Sequence, residues 1–363
     1  MTNHNIDLAS QERFSDAIPS ELREAISDPR IRSYKDSDYE SLAVWMRDLG
    51  RFYDGHDEDN RLLDQLVGAE KGDTKGFFTK NKFMFICEVD GQPTGMICVN
   101  YKRGGSAKIG PVIVNPDVRG QGVGSSLMQT AQEVAIAGGV RKLYATTSHL
   151  NEHVNHLFTK AGFTTEAELP NQYKKDSIEL IWGKHLIEPA HLDTIDVESA
   201  LKPGETNGDL EITTITSESL QFIAQVNEVY QQWHDDLGSD FIEGMVAGAE
   251  RGLSFQHKGK VIFVAKDREG EQGMLTFTPK RGGPVKLYPI YGTKEAQRFM
   301  IEKAKQIAIQ NGNHKFYTFV HISDITQIEF LESIGFKRRG IIESPYKDGH
   351  NLVPLDLSID IEA

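Results

Sequence analysis

Adding 178 to a position in the first half of this chain takes Ser41-Leu42 to Ser219-Leu220, His56-Asp57 to His234-Asp235, Lys102-Arg103-Gly104-Gly105 to Lys280-Arg281-Gly282-Gly283 and Pro111 to Pro289. Further along, the offset becomes 173. Lys142-Leu143-Tyr144 then aligns with Lys315-Phe316-Tyr317, Gly162-Phe163 with Gly335-Phe336, and Tyr173-Lys174 with Tyr346-Lys347. A repeat of this length means that one fold occurs twice, and 363 residues suit two domains of about 150 to 180 each. The change of offset places a five-residue deletion in one short segment. There the first copy reads Asn115-Pro116-Asp117-Val118-Arg119-Gly120-Gln121-Gly122-Val123-Gly124, and the second only Thr293-Lys294-Glu295-Ala296-Gln297.

Each copy has the same predicted order of elements. Helices over 37–53 and 217–233 lead through polar loops to helices over 61–71 and 241–251, and alternating strands follow. After the variable segment, Leu127, Ala131 and Val134 in one copy and Met300, Ala304 and Ile307 in the other repeat at helical spacing. Gly138-Gly139 and Asn311-Gly312 end those helices as left-handed caps. A strand over 142–147, a helix over 151–160 and a hairpin complete the first copy. Residues 188–210, with Pro189, Pro203, Gly204 and Gly208, read as a linker. The expected division is therefore an N-terminal extension (1–29), a first domain (30–187), the linker and a second domain (211–363). The extension is expected to be helical and to pack on one of the domains.

The apolar run over 108–114 runs through Pro116, which stops it, into Arg119-Gly120-Gln121-Gly122-Val123-Gly124 and then an amphipathic helix. Strand, glycine turn and helix together make an anion cradle, because glycines let successive N–H groups converge and the helix N-terminus adds partial positive charge. A Walker loop is excluded, since no Lys follows Gly124, and the dinucleotide fingerprint fails because Ser125 stands where its last Gly belongs. What remains is R-x-x-G-x-G, and on this motif the chain resembles the GNAT superfamily of N-acetyltransferases. The stretch from Asn151 to Phe163 resembles that family's N-x-x-A-x-x-L-Y-x-x-x-G-F helix, with Val154 for Ala and Phe158 for Tyr.

The resemblance implies an α/β fold of two tandem GNAT-like domains, each a mixed, mostly antiparallel sheet flanked by helices. It implies acetyl-CoA as co-substrate, its pyrophosphate on Arg119, Gly120, Gln121, Gly122, Val123, Gly124 and Ser125. Its pantetheine arm would lie along Val112, Ile113 and Val114 and touch Asn151 and Phe158. Phe158, unlike Tyr, has no proton to give a departing thiolate. The second copy has lost the cradle and carries Asp324 where the first has Asn151, so it is expected to be degenerate.

Direct acetyl transfer to a primary amine requires a deprotonation path. The family often places a Glu on the fourth strand; here the nearest position is Lys108. The candidates are Glu88, His149, whose ordinary pKa of about 6.5 suits a base near neutrality, and Tyr173. A water chain ending on a backbone carbonyl is an equal alternative. The loop after the first helix holds Asp54, His56 and Asp57 in an acidic cluster that suits an ammonium, against the competing reading of a solvated loop.

A net charge of −13 argues against a nucleic-acid partner. No apolar run approaches the roughly 18 residues of a membrane span, and the first residues carry no secretory pattern, so a cytoplasmic location is expected; a monomer or homodimer is expected as well. Cys87 and Cys98 are expected as reduced thiols, with no disulfide and no metal. The expected function is acetylation of a small-molecule amine, a cationic metabolite or an antibiotic. The alternatives are an acyl-CoA-binding sensor or scaffold without turnover, and a protein or peptide N-acetyltransferase.

Overall fold

The computed structural model describes residues 14, 17–53, 60–70, 79–188, 208–215, 219–234, 239–250, 259–280 and 282–359. The chain divides into two compact units, Met1–Glu166 with Glu179–Pro189, and Ala167–Ile178 with Ala190–Ala363. The segment Ala167–Ile178, which the expected boundary at 187 assigns to the first domain, thus groups with the second unit. There Lys315 Nζ donates to the Pro170 carbonyl at 2.7 Å.

Strands β1 (Ile31–Ser33), β2 (Thr79–Val89), β3 (Gln92–Lys102), β4 (Ser106–Val114), β5 (Lys142–Ser148), β6 (Thr164–Pro170) and β7 (Ile178–His185) form one sheet in the order β1-β2-β3-β4-β5-β7-β6, most of it in the first unit. The second sheet is built from β8 (Glu211–Thr214), β9 (Val261–Asp267), β10 (Gly270–Pro279), β11 (Pro284–Gly292), β12 (Lys315–His321), β13 (Lys337–Arg338) and β14 (Leu352–Ser358). Its order, β13-β14-β12-β11-β10-β9-β8, is the same sequence of strands read from the other end. Both sheets are mixed, with one parallel pair each, β4 with β5 and β11 with β12.

The predicted first helix is shorter than 37–53: an α-helix, Tyr39–Arg47, sits between 3-10 turns Asp36–Asp38 and Asp48–Arg51. With the helix Arg61–Glu70 it covers one face of the sheet, where Leu42, Met46, Leu63 and Leu66 pack on Met84, Ile86, Met96, Cys98 and Ile113. The opposite face carries the helix Val123–Ala137, termed the loop helix. Its Leu127, Ala131 and Val134 meet Phe85, Ile97, Leu143 and Ala145 in the larger core. Ile18, Leu22 and Ile26 join that same core, so the described part of the N-terminal segment belongs to the first unit. Ser27 fixes it further, its hydroxyl bonding Glu133 on the loop helix.

The second unit repeats this plan with the helices Leu220–Tyr230, Ser239–Glu250, Lys294–Gln310 and Ile325–Ser333. Gly139 and Gly312 take the left-handed conformation just beyond their helices (φ 69° and 67°). Cys87 and Cys98 are both buried thiols. No helix among the described residues is long and apolar enough to cross a membrane.

Candidate active site

Pairing of β4 with β5 stops early. It runs through Ser106↔Lys142, Ala107↔Leu143 and Lys108↔Tyr144, after which β4 continues to Val114 beside β3 alone. Asn115 N donates to Thr94 O at 2.9 Å, and antiparallel alternation then turns Ile113 toward β3 and Val112 and Val114 toward the opening beside β5. Two of the three expected backbone positions therefore face the gap, and Ile113 does not.

Beyond the strand, Asn115 caps the turn Pro116–Val118, accepting from Asp117 N, and the chain passes through Gly120 and Gly122 at φ 82° and 84°. These conformations favour glycine. A Cβ added at either position would meet no atom within 4 Å, so the space in front of the helix is open. Gly122 offers the helix no side-chain cap, and the first helical bond is that of Ser126 N to Gly122 O. Val123, Gly124 and Ser125 therefore have N–H groups without an i−4 carbonyl in the helix. Arg119, Gln121 and Ser125 are exposed around them, while the Val123 side chain is in the core. Converging N–H groups, a helix dipole and an exposed cation fit a diphosphate.

Several predicted positions are used otherwise. Phe158 is 1% exposed, packed edge-on to Phe163 and stacked on Trp182, so it lies in the core and offers the gap no surface. The Asn151 side chain caps the following helix by accepting from Val154 N, and Asp324 does the same from Gln327 N in the second unit. Asn and Asp serve equally as caps, which explains the exchange without reference to a ligand. Glu88 is held by Arg32, which also forks onto Asp38, and so is committed to an ion-pair network at β1. Tyr173 lies in the segment that groups with the second unit, its backbone against Gly282. His149 is half-buried just past β5, its carbonyl accepting from Asn155 Nδ2. Asp54, His56 and Asp57 lie outside the described residues. Tyr53, which precedes them, accepts from Ser148 N at the end of β5.

One residue absent from the sequence-based candidates stands at the gap. Glu179, opposite Ser148 on β7, is 3% exposed, and its Oε1 has no hydrogen-bond partner among the described residues. Alternation along β5 and β7 puts Lys108, Tyr144, Thr146, Ser148 and Glu179 on one face, the one that the first two helices cover. Burial pushes the Glu179 carboxyl up to about 7, against the opposing pull of Lys108 and a hydrogen bond from Thr146. Burial also lowers Lys108, with Glu179 resisting and Lys82 assisting. The signal in the sequence was a mismatch: the 173 offset takes Glu179 to Leu352.

In the second unit the corresponding turn is shorter. Thr293 follows β11 directly and caps its helix by accepting from Ala296 N, while Gln297 Nε2 donates to Gly292 O at 2.8 Å. The opening between β11 and β12 is lined by rings, with Lys286 Nζ 4.5 Å from the Tyr288 ring centre and 4.9 Å from that of Phe319. His234, counterpart of His56, hydrogen-bonds Tyr288 and stacks on Tyr346 at 4.3 Å.

The family model for the acetyltransferase (GNAT) family matches residues 23–163. That match lies within the first unit, which is thus similar to a GNAT acetyltransferase domain. An uncharacterized N-acetyltransferase of Methanocaldococcus jannaschii is 30% identical over 128 residues, which cover 30% of this chain and 57% of that protein. The chain thus spans little more than half the length of that relative. Among solved structures, a ribosomal-protein-alanine N-acetyltransferase from Brucella melitensis is 21% identical, covering 43% of this chain and 99% of its own, with a TM-score of 0.37. A spermidine N-acetyltransferase from Vibrio cholerae, in complex with CoA and spermine, is 16% identical, covering 43% and 94%, with a TM-score of 0.37. The GNAT match ends at Phe163, within the first copy of the repeat. The two mixed, seven-stranded sheets are consistent with two GNAT-like domains.

Proposed function

We propose that the first unit is an acetyl-CoA-dependent N-acetyltransferase that acts on a primary amine of a small molecule by direct transfer. The observation that carries this reading is the pairing of an open glycine cradle with an unpaired strand edge at Val112 and Val114 in the first unit, within a matched GNAT domain. When bound, acetyl-CoA supplies the thioester that the amine attacks. The N–H groups of Val123, Gly124 and Ser125 and the Arg119 side chain hold the diphosphate, and the backbone of Val112 and Val114 holds the pantetheine amides as a short added strand. The acidic residues Asp54 and Asp57, with His56, receive the amine.

Calorimetry with acetyl-CoA tests the reading. Binding is expected in the unaltered chain, and Gly122→Asp, which adds a carboxylate at the cradle and a side chain at φ 84°, is expected to weaken it at least about 30-fold, equivalent to roughly 2 kcal/mol. Equal affinity of the two proteins would exclude the cradle. Core placement of Phe158 favours one competing reading, a CoA-binding sensor without turnover, because no tyrosine acid stands there. Sustained thiol release with any amine from a panel of polyamines, aminoglycosides and amino acids excludes the sensor.

A further inference from the structure

We infer that Glu179 is the catalytic base of the first unit, accepting a proton from the acceptor's ammonium at its free Oε1, and that Lys108 is a positioning residue for it. The inference rests on the acetyltransferase reading above. Glu179 reaches the site from β7, opposite Ser148, on the face where β4 and β5 part. A carboxylate oxygen buried without a partner is costly unless something supplies one, and an incoming ammonium does. Glu88, the strand carboxylate anticipated from sequence, is tied to Arg32 and not available. The Tyr53 hydroxyl accepts from the amide of Ser148, the residue paired with Glu179.

The duplication provides an independent argument. Lys108 recurs as Lys286, whereas Glu179 is replaced by Leu352 in the copy that has no cradle. The carboxylate and the cofactor loop therefore occur together, and the lysine alone does not follow them. In the step itself, the acceptor nitrogen forms the C–N bond as the thioester C–S bond breaks. One ammonium proton passes to Glu179 before attack and then to solvent, and the second nitrogen proton follows the departing sulfur. The groups facing Glu179 are Lys108 on β4, Tyr144, Thr146 and Ser148 on β5, and Lys82 on β2 behind Lys108. Lys108 lies within electrostatic reach of Glu179, and no ion pair of 4 Å or less joins them among the described residues. Its charge thus tunes the carboxyl without occupying Oε1.

The test compares the full chain with Glu179→Gln, Glu179→Asp and Lys108→Met. Rates are read at saturating acetyl-CoA with the best amine of the panel named above, and CoA affinity is read by calorimetry. Glu179→Gln is expected to lower kcat/KM at least about 100-fold near pH 7, with CoA affinity unchanged, and to remove the limb that rises through about pH 7 in the unaltered protein. Glu179→Asp is expected to restore part of the rate, and Lys108→Met to move the limb to higher pH. In ligand-free protein with 13C-labelled glutamate, one carboxyl should titrate near 7 and vanish from the spectrum of Glu179→Gln. Full activity with an unchanged limb in Glu179→Gln, or a ligand-free carboxyl titrating at an ordinary glutamate value, overturns the inference while CoA binding still stands. Absence of CoA binding in the unaltered chain, or of turnover with every amine, overturns the acetyltransferase reading and this inference with it.

Discussion

Glu179 lies where a carboxyl is expensive to ionise, and that cost has a pH signature. Its carboxyl titrates near 7 in the fold and near about 4.3 in an unfolded chain. Between these values the folded state holds a proton that the unfolded state has lost, so stability falls as pH rises through the window and levels off above about 7. The full contribution is about 4 kcal/mol. Glu179→Gln should therefore be more stable than the unaltered chain at pH 8, by roughly 3–4 kcal/mol, and nearly equal to it below pH 4. Urea midpoints at the two pH values check this, and equal midpoints at pH 8 would mean that Glu179 is not desolvated. Phe158 supplies a contrasting case. Restoring the family's tyrosine places a hydroxyl between Phe163 and Trp182, which should cost about 1–3 kcal/mol and leave kcat unimproved. A rate gain in Phe158→Tyr would show that the side chain reaches the gap.

At the scale of elements, the seating of the loop helix on β3 positions the cradle, and it depends on a glycine. A Cβ at Gly95 would lie 2.8 Å from Ile113 O and 3.0 Å from both Leu127 and Val123. Gly273 repeats the arrangement against Tyr291 O, Met300 and Ala296. These partners follow the 178 offset in the strand and the 173 offset in the helix, so the whole packing joint was duplicated. Gly95→Ala and Gly273→Ala are each expected to lose about 1–3 kcal/mol through overpacking, read from thermal melts. Only Gly95→Ala should also weaken CoA binding, because only its helix opens on a cradle. Matching losses of CoA affinity in both variants would refute that assignment. The glycine loop was legible in sequence because its chemistry is local: φ values, N–H groups and a helix start lie within ten residues. The first helix was overextended because apolar spacing continues through Asp48–Arg51, which folds as a 3-10 turn.

For the whole molecule, a glycine loop present in the first half and shortened in the second predicts asymmetric binding. Calorimetry on the full chain is expected to give one acetyl-CoA per chain, and a stoichiometry of two would place a second cradle in a unit whose helix is capped by Thr293. The unit boundary was less legible than the repeat. The segment Ala167–Ile178 groups with the second unit through contacts such as Lys315 Nζ to Pro170 O, and nothing in its own residues announces a partner so distant in the chain.

The sequence by itself shows a repeated pattern of residues and a glycine-rich loop in the first half alone, since both are carried by residues close together or at a constant offset. It pointed to a GNAT sheet for the same reason. Tertiary structure alone decided which carboxylate matters. Glu88 and Glu179 are both single acids in apolar strands, and what separates them is an arginine from β1 beside one and, beside the other, the register of β7 on β5 with an end to the pairing of β4. Those are contacts between distant strands, fixed only when the sheet closes.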